Sequence, residues 1–143
     1  MDTSDLRKRI IRALEEARKD SSRRRAAIDE AQKAYETFLS GTAVPLMKQA
    51  VTVLRAEGHL FSVHTPGGSV RLVSDGAPET FLELELDASG AHPAVLGRVS
   101  LARGRQGHLV DERPIGAGRS VADLTEDDVS QFLVASVPKL LVK

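Results

Sequence analysis

The side chains best equipped for chemistry are a run of arginines on a helix-compatible stretch and a row of carboxylates on a strand-compatible one. Arg23, Arg24 and Arg25 follow one another, with Arg18 and Lys19 one to two turns earlier. Several guanidinium groups on one helix form a cationic patch of the kind that grips phosphates. Three successive helical residues fan over roughly 200°, however, so they do not all face one duplex. Glu15, Glu16, Asp20, Asp29 and Glu30 lie within salt-bridging range along the same stretch, and the plain reading is a solvated charged surface. Phosphate contacts through Arg23, Arg24 and Arg25 are the alternative.

Glu83 and Glu85 stand two apart, and Asp87 continues the row. Paired carboxylates hold metals or share general acid and base roles. With no companions nearby in the sequence, these are expected to form an exposed, solubilising row on the wet face of a strand. His59, His64, His92 and His108 show no pair at metal-ligand spacing, and His64 and His108 would meet only on neighbouring strands. Gly116-Ala117-Gly118-Arg119-Ser120 resembles part of a phosphate-binding turn but lacks the third glycine of a dinucleotide fingerprint and the Gly-Lys-Ser/Thr of a P-loop. Arg103-Gly104-Arg105-Gln106-Gly107 puts two guanidinium groups on an expected hairpin tip. No Gly-x-Ser-x-Gly elbow accompanies the serines. The sequence therefore assigns no catalytic residue, no metal ligand and no cofactor.

Composition narrows the partners. The 143 residues carry 20 basic and 20 acidic side chains, which removes the global positive field of a protein that binds DNA through its backbone. Aromatics are confined to Tyr35, Phe38, Phe61, Phe81 and Phe132, little material for stacking single-stranded bases. With no cysteine, disulfides and thiolate metal sites are excluded and a reducing compartment suits the chain. Met1-Asp2-Thr3-Ser4-Asp5 lacks the basic start and apolar core of a signal peptide, and no run approaches the roughly 18 apolar residues of a membrane span. The expectation is a cytoplasmic protein without a membrane partner.

The elements that must position these groups begin with residues 3 to about 39, which hold no Gly or Pro and read as one helix capped by Asp2 or Ser4. Along it, Ile10, Leu14, Ala17, Ser21, Arg24, Ile28, Ala31, Tyr35 and Phe38 recur in alternating steps of four and three. This is a heptad seam interrupted by Ser21 and Arg24. A helix of about 55 Å outgrows a compact domain, so it is expected to project, to pair with another helix, or to bend near Asp20-Ser21-Ser22.

Gly41 and Pro45 are expected to end it, and a second helix to run from about 44 to 57, stopped by Gly58. From residue 59 the period falls to 2, giving strands over 59–65, 69–75, 80–87, 94–102 and 108–114 joined by short links, hence an antiparallel meander. Leu82, Leu84 and Leu86 define its dry face. A last helix starts after Thr125, with Glu126, Asp127 and Asp128 at its positive end, and Pro138 is expected to bend or end it around Ser136.

The fold class is thus α+β: long N-terminal helix, second helix, five-stranded antiparallel meander, C-terminal helix. Residues 1–40 form a helical interaction arm on an α+β domain of residues 41–143. The function expected is a non-catalytic protein-binding or assembly module that self-associates, as a homodimer, through Ile10, Leu14, Ala17, Ile28, Ala31, Tyr35 and Phe38. Nucleic-acid binding around Arg23–Arg25 is the second expectation. A small enzyme or ligand-binding domain with a pocket between sheet and helices is the third.

Overall fold

In the computed structural model, which describes residues 2–141, one uninterrupted helix, α1, spans Thr3–Phe38. Asp2 opens it: its carboxylate accepts from the Ser4 amide at 3.3 Å and its carbonyl from the Leu6 amide at 3.1 Å, the arrangement that satisfies orphan donors at a helix start. The helix continues through Asp20–Ser22 without a break. The chain divides into two compact units, one ending at Glu30 and one beginning at Ala31. The last turns of α1, with buried Tyr35 and Phe38, thus belong to the second unit.

Gly41 and Pro45 do not end the helical path as the sequence suggests. A π turn over Leu39–Ala43 leads directly into α2, Val44–Ala56, with the Val44 amide bonded to the Leu39 carbonyl. Proline lacks a donor and its ring crowds the carbonyl four residues back, here that of Gly41. Widening the turn before it, at a residue without Cβ, lets the chain stay helical.

Five strands follow, β1 Phe61–His64, β2 Val70–Ser74, β3 Ala77–Asp87, β4 Ala94–Arg103 and β5 Gln106–Pro114, pairing antiparallel in the order β1-β2-β3-β4-β5. The meander is the expected one, and the tip between β4 and β5 is tighter than expected. Arg103 pairs with Gln106, leaving two loop residues, and Gly104 takes φ +64° at the position where such hairpins favour glycine.

Helix α3, Glu126–Leu140, starts at Thr125 with a full capping box: the Asp128 amide donates to the Thr125 hydroxyl and the Thr125 amide to the Asp128 carboxylate at 2.8 Å. It does not stop near Ser136. Pro138 lies in its last turn, and the carbonyl deprived of a donor is that of Val134, a residue 76% exposed, on the solvent side of the helix rather than against the core.

The core lies between the inner face of the sheet and the helices. Leu72, Leu82 and Val99 form one directly paired row, and Val70, Leu84 and Gly97 the next. Against them pack Met47 and Leu54 of α2, Val129, Phe132, Leu133 and Leu140 of α3, and Tyr35 and Phe38. Gly97 makes this possible: a Cβ there would come within 2.8 Å of the Phe132 ring, closer than van der Waals contact allows. The side-chain row has a gap at β4 that the ring fills.

Replacing that hydrogen tests the packing. Gly97→Ala should lower stability to urea by about 1–3 kcal/mol, the usual cost of overfilling a core, and Phe132→Leu in the same chain should recover part of the loss. An unchanged midpoint in Gly97→Ala would contradict the packing described.

Candidate functional site

The first unit offers one surface. Every described residue up to Asp29 other than Ile28 is exposed, and Glu30 is exposed as well; Ile28 is half-buried. Leu6, Ile10, Ile11 and Leu14 are large aliphatics with 46%, 50%, 43% and 51% of their surface open. Ala17, Ser21 and Arg24 continue the seam and are also exposed. Of the seven residues expected at an interface, Ile10, Leu14 and Ala17 are open to solvent. Ala31, half-buried, packs against the core of the second unit, and Tyr35 and Phe38 lie within it at 5% and 6% exposure. The last two are spent on the chain's own core, which leaves the open length of the seam upstream.

The arginine run has local employment. Arg23 faces Asp20 at 3.5 Å and Arg9 faces Asp5 at 3.3 Å, both one turn apart and exposed. Such pairs are worth a few tenths of a kcal/mol. Arg24 and Arg25 are exposed on the same turns.

In the second unit the outer face of the sheet is not the wet row of carboxylates that the alternation of β3 suggests. Glu83 is 4% exposed. Strand register lays His64, Arg71, Glu83, Arg98 and Glu112 side by side in one row across all five strands. One Glu83 carboxylate oxygen accepts from the Arg71 guanidinium in a short contact and from the Ser69 hydroxyl at 3.3 Å. Its other oxygen accepts from Arg98 at 3.1 Å, and Arg98 also donates to Glu112 at 2.9 Å and Glu85 at 3.3 Å. The Arg71 guanidinium lies 4.3 Å over the Phe81 ring, a favourable cation–π placement. Burial works against the charge on Arg98, but the Glu112 and Glu83 acceptors outweigh it and push its pKa above the ordinary value.

The mistaken expectation for Glu83 has a physical origin. Alternation along one strand tells which side chains share a face, but the partners of Glu83 come from β2 and β4, and only pairing places them. The alternating charges act on register. A slip of one residue would drive Glu83 into the apolar inner face and turn Leu82 and Leu84 outward, so the row and the core select the same pairing.

The remaining groups stay apart. His64 and His108 sit on β1 and β5, the opposite edges of the sheet, and all four histidines are exposed. Among the described residues no three His, Asp or Glu side chains gather as a metal site. The Gly116–Gly118 turn carries three successive left-handed residues, Ala117 included. Arg119 closes on Asp128 in a short ion pair, so that cation serves the start of α3. The Thr125 amide bond, then Arg119, hold the Asp128 carboxyl below the usual carboxylate range against a partial desolvation. Sequence reasoning missed this pair because eight residues, folded through a short turn, separate its members.

Tyr35 ties the last turns of α1 to the backbone of β3 and of the turn before β2. Its hydroxyl donates to the Gly68 carbonyl at 2.6 Å, with the Leu84 carbonyl at 3.3 Å. Burial, then the charges of Glu85 and Glu83, push its pKa far up.

No family model, no curated protein and no solved structure matches this chain. Among the described residues, no helix is long and apolar enough to cross a membrane.

Tyr35 makes the environment measurable, because it is the only tyrosine and there is no tryptophan. In the unfolded chain the phenol ionises near pH 10. Above that pH the unfolded state releases a proton that the folded state keeps, so stability falls as pH rises. Phenolate absorbance should therefore appear only together with loss of folded structure, and Tyr35→Phe should soften the alkaline decline. Phenolate forming near pH 10 in a still-folded chain would contradict the placement of Tyr35.

Proposed function

We propose that this chain is a non-catalytic assembly module that self-associates, as a homodimer, through the seam of its first helix at Ile10, Leu14, Ala17 and Ile28. The observation that carries the reading is the exposure of Leu6, Ile10, Ile11 and Leu14, four large aliphatics within nine residues at helical spacing. Lone exposed hydrophobes are ordinary, whereas a contiguous apolar strip marks an interaction site. A helix gains most of its stability from packing an amphipathic face. A seam with alternating steps of four and three is the pattern that packs against its own kind.

Ser21 and Arg24 limit the strength of the pairing. Each half-exposed aliphatic contributes about 1 kcal/mol on full burial, and the two interrupting positions contribute none. The seam suits a reversible rather than a permanent association. The basic cluster is balanced by acidic neighbours on the same helix, with Arg23 already facing Asp20, which favours protein over phosphate as the partner.

Light scattering coupled to size exclusion tests this at tens of micromolar. The expected mass is twice that of the 15.4 kDa chain. Ile10→Asp combined with Leu14→Asp should return it to a single chain without altering the unfolding of the sheet, since both positions are exposed in the first unit. A wild-type monomer, or a dimer indifferent to the double substitution, would overturn the reading.

A further inference from the structure

We infer that the occupant of this seam is a second copy of the same helix lying parallel and in register. The inference rests on the assembly reading above and goes further, because the seam alone does not fix direction. Direction is decided by the flanks. With Leu14, Ser21 and Ile28 as the first core position of each heptad and Ile10, Ala17 and Arg24 as the second, the residues bordering the seam are Leu6, Ala13, Asp20 and Ala27 on one side and Ile11, Arg18, Arg25 and Gln32 on the other. Flanking residues set partner choice and orientation in coiled coils.

In a parallel, in-register pair each residue of the first flank meets the residue five positions later on the other chain. Leu6 then meets Ile11 of the second copy, and Asp20 meets Arg25 of the second copy, each contact occurring twice by symmetry. This accounts for two facts the seam leaves unexplained. Leu6 and Ile11 lie off the seam yet are large, apolar and 46% and 43% exposed, and together they form an apolar contact in this arrangement. Arg25 is exposed and, among the described residues, has no ion pair within its own chain, and it gains one here.

The antiparallel register that keeps the whole seam paired, end to end, sets like charge against like charge. Laying Ile10 on Ile28 of the second copy places Asp20 beside Asp20, Arg18 beside Arg18, and Ile11 beside Arg25. Like charges at such flanks are repulsive and serve to exclude a pairing. Arg24 weakens the seam in the parallel pair, where it meets its own copy; its long stem lets the guanidinium leave the seam for water.

Two measurements on the full chain test the inference. As there is no native cysteine, Ser4→Cys carries a single spin label. The parallel pair predicts a label separation of about 20 Å or less, whereas the antiparallel register separates the labels by thirty residues, about 45 Å at the helical rise. In a charge-swap cycle, Asp20→Arg and Arg25→Asp should each weaken the dimer about tenfold, and the two together should restore it to within about threefold. An intrachain effect would not mimic this, since residues five apart do not face each other on one helix. A dimer showing only the long separation, or no recovery in the combined variant, overturns the parallel arrangement and leaves assembly standing. A wild-type chain that stays monomeric removes the assembly reading itself.

Discussion

An apolar stripe on a helix cannot be left in water without cost, and in this chain the stripe outlasts the core that covers it. From Ala31 onward the seam positions serve the fold: Tyr35 and Phe38 are core residues, and Ala31 packs beside them. Upstream, the same spacing continues through Ile10, Leu14 and Ala17 with nothing buried. One periodicity therefore runs through two settings. In the second unit, packing inside the chain meets its demand; in the first, the demand is still open, and in the proposed assembly a partner of matching period meets it.

The second unit is built so that two kinds of force choose the same strand pairing. On the inner face, Leu72, Leu82 and Val99 align and exclude water; on the outer face, Arg71, Glu83, Arg98 and Glu112 alternate in sign along the adjacent paired row. A buried carboxylate such as Glu83 is costly alone and tolerable only when its oxygens are answered, and here Arg71, Ser69 and Arg98 answer them. The gain lies in specificity. It adds to the register that the short links, such as the two-residue turn at Gly104, already set.

Most of this architecture was legible in the sequence. Period-2 alternation and Pro-Gly links located all five strands and their order, and the Thr125 cap with its three carboxylates located α3. What escaped was non-local. Glu83 looked like a surface residue because its arginines arrive from β2 and β4. Gly41 and Pro45 looked like a helix end because a π turn that absorbs a proline has no signature of its own. Pro138 reads as a bend or an end near Ser136 because the exposure of Val134 is a tertiary fact. The open stretch of seam was legible as a pattern, whereas the point at which the core stops covering it depends on where Tyr35 lands.

A second copy of the chain covering the exposed half of the seam is the proposed arrangement. Its most direct test is the thermal unfolding of the helical circular-dichroism signal over about a hundredfold range of protein concentration, since association couples stability to concentration by mass action. A self-associating helix gives a transition whose midpoint climbs as concentration rises. A midpoint that stays fixed across the whole range would contradict it.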